Sequence, residues 1–261
     1  MAFYDLSKPQ RELLCKEIET LLVNDLQSDS LTHFLHYFSD EDTYIRKTAY
    51  LAVGRISKNG LFPTFKIIAT LNRLLKEDDF KTRQATVNAA GEIGKTDFEI
   101  VQHFFDVALF DEHHAVRNAV IGSVKKMGEK NPEPVLAWAR MYLHHADKEI
   151  RREICHGIEL RGRTHPQDIL PMLRELEFDK TARVRNTLVH VIGQISYKKG
   201  CLATVIEDLK QWQNKEVIDK AIDEIIDVHD RYKNFTILTQ EEAIDYINQH
   251  YHRTHLTKVL S

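Results

Sequence analysis

The sequence predicts an all-α fold, a right-handed α-solenoid of about six paired-helix repeats closed by helical caps. Three observations predict it. An arginine recurs in one local context at Arg46, Arg83, Arg117, Arg151 and Arg185, with spacings of 37, 34, 34 and 34. A period of this size is the mark of a stacked repeat. Apolar residues then follow each arginine at helical spacing, as in Ile45, Ala49, Ala52, Val53 and Ile56, which is one face of a helix. Strand signals are close to nil, with no alternating β-branched runs bounded by two-residue glycine turns. The expected organisation is a single repeat domain over 1–261, with an N-terminal cap at 1–30, repeats at 31–230 and a C-terminal cap helix at 231–261.

The elements follow in order. Lys8–Asn24, with Leu13, Leu14, Ile18, Leu21 and Leu22, and the partly apolar Leu31–Phe38 fit the first helices and so a cap. The arginine-bearing second helices are expected within 40–56, 77–94, 111–124, 146–158 and 179–195, with a degenerate copy at Lys215–Val228. Between them, Leu61–Leu75, Glu99–Leu109, Pro132–Leu143, Pro166–Leu176 and Leu202–Trp212 read as the first helices of the following units. Pro63, Pro132, Pro134 and Pro166 stand near the starts of these segments, where a missing N–H is harmless. Thr239 and Glu242 form a capping box that opens a last helix, Glu241–Tyr251.

Each unit has legible chemistry. Asp40, Glu77, Asp111 and Asp179 stand six residues before their arginines, and Asp147 stands four before Arg151. Such carboxylates are expected to cap the following helix. Stacking then sets each arginine near its own or a neighbouring acid, in a polar ladder along the array. Arg46, Arg83, Arg117, Arg151 and Arg185, with Asp40, Asp111 and Asp179, are therefore read as structural anchors. Gly54, Gly91 and Gly193 lie eight residues past their arginines. A small residue there lets the next helix approach closely, which outweighs the ~1 kcal/mol a mid-helix glycine loses relative to alanine.

The segments YIRKTAYLAVGRIS, KTRQATVNAAGEIG and RVRNTLVHVIGQIS resemble HEAT repeats of the short, Val-Arg-led phycobilisome-lyase type, over roughly 31–230. The resemblance implies an armadillo-type solenoid used as a scaffold or adaptor, or, in other branches, a bilin-lyase-like protein or an alkylpurine DNA glycosylase. Residues 147–196 are similar in layout to the HEAT-like DNA alkylation repair proteins through Arg151, Arg152, Gly157, Arg161, Arg163, Ile169–Pro171, Val184 and Arg185. The tryptophan-ended, Arg-Pro-rich loop of that family is missing after Gly157, and its catalytic acid has no match.

Composition narrows function further. Lys+Arg 36 against Asp+Glu 39 gives a formal charge of −3, so the surface as a whole is not built to grip nucleic acid. Within 140–185, ten Lys+Arg meet eight acids. Arg151, Arg152, Arg161 and Arg163, with Trp138, are the candidate anion or nucleic-acid contacts, and Arg161 and Arg163 are placed in an inter-helix loop where both reach one anion. Trp138 and Trp212 also read as core residues. The histidines His113-His114, His144-His145 and His250-x-His252-x-x-His255 do not converge as a zinc site does, so no metal and no cofactor is expected. Cys15, Cys155 and Cys201 are far apart, as reduced cytoplasmic thiols are. No apolar run reaches the ~20 residues of a membrane helix, and no signal peptide is expected from the first residues. Phosphate-binding, nucleophile-elbow and zinc-protease motifs are missing, so nothing in the motifs supports catalysis. The expected function is a cytoplasmic scaffold that binds a protein or peptide on a concave face. The alternative is DNA binding, glycosylase-like, in a groove near 138–190.

Overall fold

The computed structural model describes residues 2–60 and 62–251. Among the described residues the structure is helical, without a strand. Its helices are α1 (Lys8–Ser28), α2 (Thr32–Phe38), α3 (Thr43–Lys58), α4 (Thr64–Leu74), α5 (Phe80–Gly94), α6 (Gln102–Ala108), α7 (His114–Lys130) and α8 (Pro132–Met141). They continue as α9 (Lys148–Gly157), α10 (Glu159–Gly162), α11 (Leu170–Arg174), α12 (Ala182–Gln194), α13 (Cys201–Leu209), α14 (Lys215–Arg231) and α15 (Gln240–His250). Leu61, His252, His255 and the rest of 252–261 lie outside the described residues. No helix among those described is long and apolar enough to cross a membrane.

The chain divides into two compact units, 1–135 and 136–261. In the first, α3 packs between α1 and α5, and α5 packs on α7, while α2, α4 and α6 lie against these second helices. In the second, α12 packs between α9 and α14, and α15 closes against α14 and α13. The first unit's core holds Phe34, Phe38, Leu71, Phe98, Phe104 and Phe105, and the second's holds Trp138, Ile192, Ile222 and Ile225, all buried. Each such side chain contributes roughly 1.5–3 kcal/mol by leaving water. Burial pushes the Cys155 thiol up, so it is a protonated core residue.

Helix starts correct one expectation. The acids six residues before the arginines do not cap; in four of the five units the residue four before does, and Thr181 before α12 makes no side-chain cap bond. Asp42 accepts from Tyr44 N, Asp79 from Thr82 N, His113 from Ala115 N and Asp147 from Glu149 N. Asp40, Asp111 and Asp179 instead accept the N–H two residues on (Asp42, His113 and Thr181), holding the turn that leads into the helix. Asp25 does a job the sequence pattern does not signal. Buried in α1, it accepts from His33 N and Phe34 N and pairs with His33 Nδ1 at 2.8 Å, so it anchors the start of α2. The Thr239–Glu242 capping box opens α15 as expected.

The glycines at the eighth position touch the next second helix. A Cβ on Gly54 would lie 2.7 Å from Glu92 Cβ, one on Gly91 2.4 Å from Ser123 Oγ, and one on Gly193 2.5 Å from Glu224 Cγ. In the second unit α9 stops at Gly157 and restarts as α10. Gly162 ends α10 against Ile169 and Ile195, where a Cβ would also collide.

Candidate functional site

The five arginines share one geometry. In each, Nη1 donates to the backbone carbonyl six residues earlier: Arg46 to Asp40, Arg83 to Glu77, Arg117 to Asp111, Arg151 to His145 and Arg185 to Asp179. The guanidinium thus satisfies carbonyls of the turn that leads into its own helix. Two arginines add a bidentate pair with the acid 28 residues on. Arg83 meets Asp111 at 2.8 and 3.0 Å, and Arg151 meets Asp179 at 2.6 and 3.0 Å. Asp111 therefore holds Arg83 by its carboxylate and Arg117 by its carbonyl, and Asp179 holds Arg151 and Arg185 in the same way. Burial pulls the Asp179 carboxyl up, but the Arg151 hydrogen bond, the Thr181 N–H and the arginine charge together hold it below its ordinary value. Asp111 is lowered in the same manner by Arg83.

The second helices are also laced with charge of both signs. In the first unit, Glu92 of α5 takes Lys95 and Lys126, and Lys126 also lies 5.7 Å over the Tyr50 ring. In the second, Arg152 meets Glu149 at 2.9 Å, and Arg183 reaches the same carboxylate at 3.0 Å.

Beside Arg152 is a denser cluster. His156 Nε2 lies 3.1 Å from Glu159 Oε2, and the His156 and His190 rings meet edge to face at 6.0 Å. Arg163 donates to Glu159 Oε1 and, at 2.8 Å, to Gln194 Oε1. Its guanidinium lies 5.9 Å from the Tyr197 ring centroid. His190 Nδ1 is 3.5 Å from Glu224 Oε1, and Glu224 in turn meets Arg231. Glu159 is 1% exposed. Arg163 Nε and Gln194 Nε2 are buried without a protein acceptor among the described residues. His156, Glu159 and His190 each place one donor atom within 4.8 Å of the others.

Of the candidate anion contacts, Arg152 and Arg163 border this cluster. Arg151 is buried on Asp179. Arg161 lies in α10 rather than in a loop, and it turns to Asp168 at 2.6 Å, away from Arg163. Trp138 is 2% exposed and packs 5.0 Å from Tyr142. The His156–Glu159–His190 set escapes a search for histidines close in sequence. Its signal is the period itself, since 190 − 156 = 34 puts both residues five past their arginines.

No family model matches the chain, and no curated protein matches it. Among solved structures it is similar to AlkD2 from Streptococcus mutans, with a TM-score of 0.55 and 17% identity over 75% of this chain and 97% of that one. It is also similar to smu.31 from Streptococcus mutans UA159, with a TM-score of 0.50 and 17% identity over 78% and 97%. A TOG domain of crescerin follows at 0.47 and 15% identity, over 74% and 88%. The first two likenesses, together with the repeated arginine geometry, show a HEAT-like repeat fold.

Proposed function

We propose that the chain is a repeat scaffold that binds a protein or peptide partner along the open face of its second helices. The fate of its cations carries this reading. Arg151, Arg152, Arg161 and Arg163 each face a carboxylate of the same chain, namely Asp179, Glu149, Asp168 and Glu159. Binding to duplex DNA gains its strength from cations that displace condensed counterions, and these four are already neutralised. Trp138, in the core, has no face to offer a base. The period supports the same reading. Repeated positions are used for stacking, whereas the fifth position after the arginine varies along the chain. It holds Leu51, Asn88, Gly122, His156 and His190, every one half-buried. Specificity on a solenoid comes from such variable positions held on a fixed frame.

Two measurements test this. Fluorescent duplex DNA, plain and carrying an abasic-site analogue, is titrated at low and moderate salt, and no salt-sensitive binding is expected. A photo-reactive residue at Asn88 then cross-links a protein from native lysate, competed by unmodified chain, whereas one at the outward Phe65 does not. Tight duplex binding that falls steeply with salt, prefers the abasic site and is lost in Arg152→Glu or Arg163→Glu would replace this reading with the DNA-binding one.

A further inference from the structure

We propose that His156, Glu159 and His190 form a binding site for a divalent first-row transition-metal ion of the zinc class. The repeat builds the site. Because His156 and His190 hold one register position in successive repeats, stacking of α9 on α12 sets their rings side by side. Glu159 comes eight residues after Arg151, the place held by Gly54, Gly91 and Gly193 in three other repeats. Its carboxylate is therefore drawn into the seam where second helices meet, and it is buried there beside His156.

The spacing suits an ion. Four donors at ~2.0–2.2 Å from a tetrahedral zinc stand roughly 3.3–3.6 Å from one another. His156 Nε2 and Glu159 Oε2 are 3.1 Å apart, and all three donors lie within 4.8 Å of one another. A shift of about 1 Å at the widest pair, of the size a side-chain rotation provides, closes the set. The two imidazoles are borderline donors, which favour zinc, cobalt or nickel over calcium and magnesium, whose sites are built of oxygens, and the carboxylate is a common third ligand of zinc.

Outer contacts already orient the donors. Glu224 lies against His190 Nδ1, and Glu224 is itself seated against the bare Cα of Gly193. Arg163 holds Glu159 Oε1 and leaves Oε2 on the His156 side. A carboxylate behind a ligating histidine is the usual second layer of such sites. The facing charges are Glu159, Glu224, Glu149 and Glu153 against Arg152, Arg163 and Arg231. The arginine on Glu159 draws charge from the ligand, so the affinity is lower than that of a site with a free carboxylate. With three protein donors the ion keeps at least one position for water.

The test uses the full chain without a histidine tag, stripped with chelator and titrated with Zn²⁺ by calorimetry and with Co²⁺ by visible absorption. One equivalent is expected to saturate, with the ligand-field bands of tetrahedral cobalt. His190→Gln, at a half-exposed position that leaves the fold intact, should weaken binding by more than ~100-fold, and Glu224→Gln by about 10–100-fold. The double variant His144→Gln/His145→Gln should bind as wild type does. Zn²⁺ should raise the melting temperature of wild type and not of His190→Gln. Failure of wild type to take up one equivalent, or equal affinity in His190→Gln, would overturn the assignment. The latter result would place the ion on His113-His114 or on the histidines near 250.

Discussion

Gly91 and Gly122 are both mid-helix glycines, yet alanine should act on them with opposite sign. At Gly91 the new methyl would stand 2.4 Å from Ser123 Oγ, 2.6 Å from Ser123 Cβ and 3.4 Å from Ser123 Cα. Carbon contacts settle near 3.5–4.0 Å, so α5 and α7 must part by about 1 Å, and a rotamer change at Ser123 moves only the hydroxyl. Overpacking of this kind costs about 1–3 kcal/mol, while alanine returns up to ~1 kcal/mol of helix propensity. The net result is a loss of about 1–2 kcal/mol. At Gly122 nothing lies within 4 Å of the added methyl, so the propensity gain stands alone, about 0.5–1 kcal/mol of stabilisation. Urea unfolding followed by far-ultraviolet circular dichroism reads both as shifts of midpoint at a common slope. Ser123→Gly placed in the Gly91→Ala background should recover part of the loss, a coupling that a double-mutant cycle measures. If Gly91→Ala proved as stable as wild type, or if both alanines shifted the midpoint the same way, the close-approach argument for the eighth position would fail.

Two further outcomes follow from the buried polar groups. Burial holds the His229 imidazole below its ordinary value, against a hydrogen bond to the Ile225 carbonyl that raises it. Below pH ~6.5 the unfolded chain then binds a proton that the native state refuses, so stability falls as pH drops through that point and is level above it. His229→Leu should flatten the dependence of unfolding free energy between about pH 5 and 7, and an unchanged slope would put the proton elsewhere. Arg151→Ala strands the buried Asp179 carboxylate and should cost about 3 kcal/mol. Arg185→Ala, whose guanidinium donates to the Asp179 carbonyl rather than to its carboxylate, should cost about 1 kcal/mol. Because the folded Asp179 carboxyl is depressed, the Arg151 contribution is complete above pH ~4 and disappears as the solution is acidified below it. Comparing the two variants at about pH 7 and pH 3 checks both the order and the loss.

Much of this is legible because a repeat states its rules several times. The arginine period locates the second helices to within a few residues, and the eighth-position glycines announce the close approach that Gly54, Gly91 and Gly193 make. The caps fall two residues beyond their expected place because Asp40 and Asp42, like Asp111 and His113, offer two acceptors in one turn, and only backbone geometry decides which faces the helix. Asp25 is invisible in the sequence because its three contacts lie in another helix. The break between α9 and α10 is hidden by Glu159, an ordinary-looking acid at a position where three other units have glycine. That residue, with two histidines 34 apart, shows why a search along the chain misses what a search across the period finds.

The row of fifth-position residues has a practical consequence. Leu51, Asn88, Gly122, His156 and His190 hold one place in the repeat yet range in size and chemistry from glycine to imidazole. Mutation can therefore explore this row one letter at a time while the arginines and glycines that make the stack stay untouched. Within each unit, new recognition can be acquired without renegotiating the fold, and a library randomised at these positions would sample binding surfaces rather than folding failures.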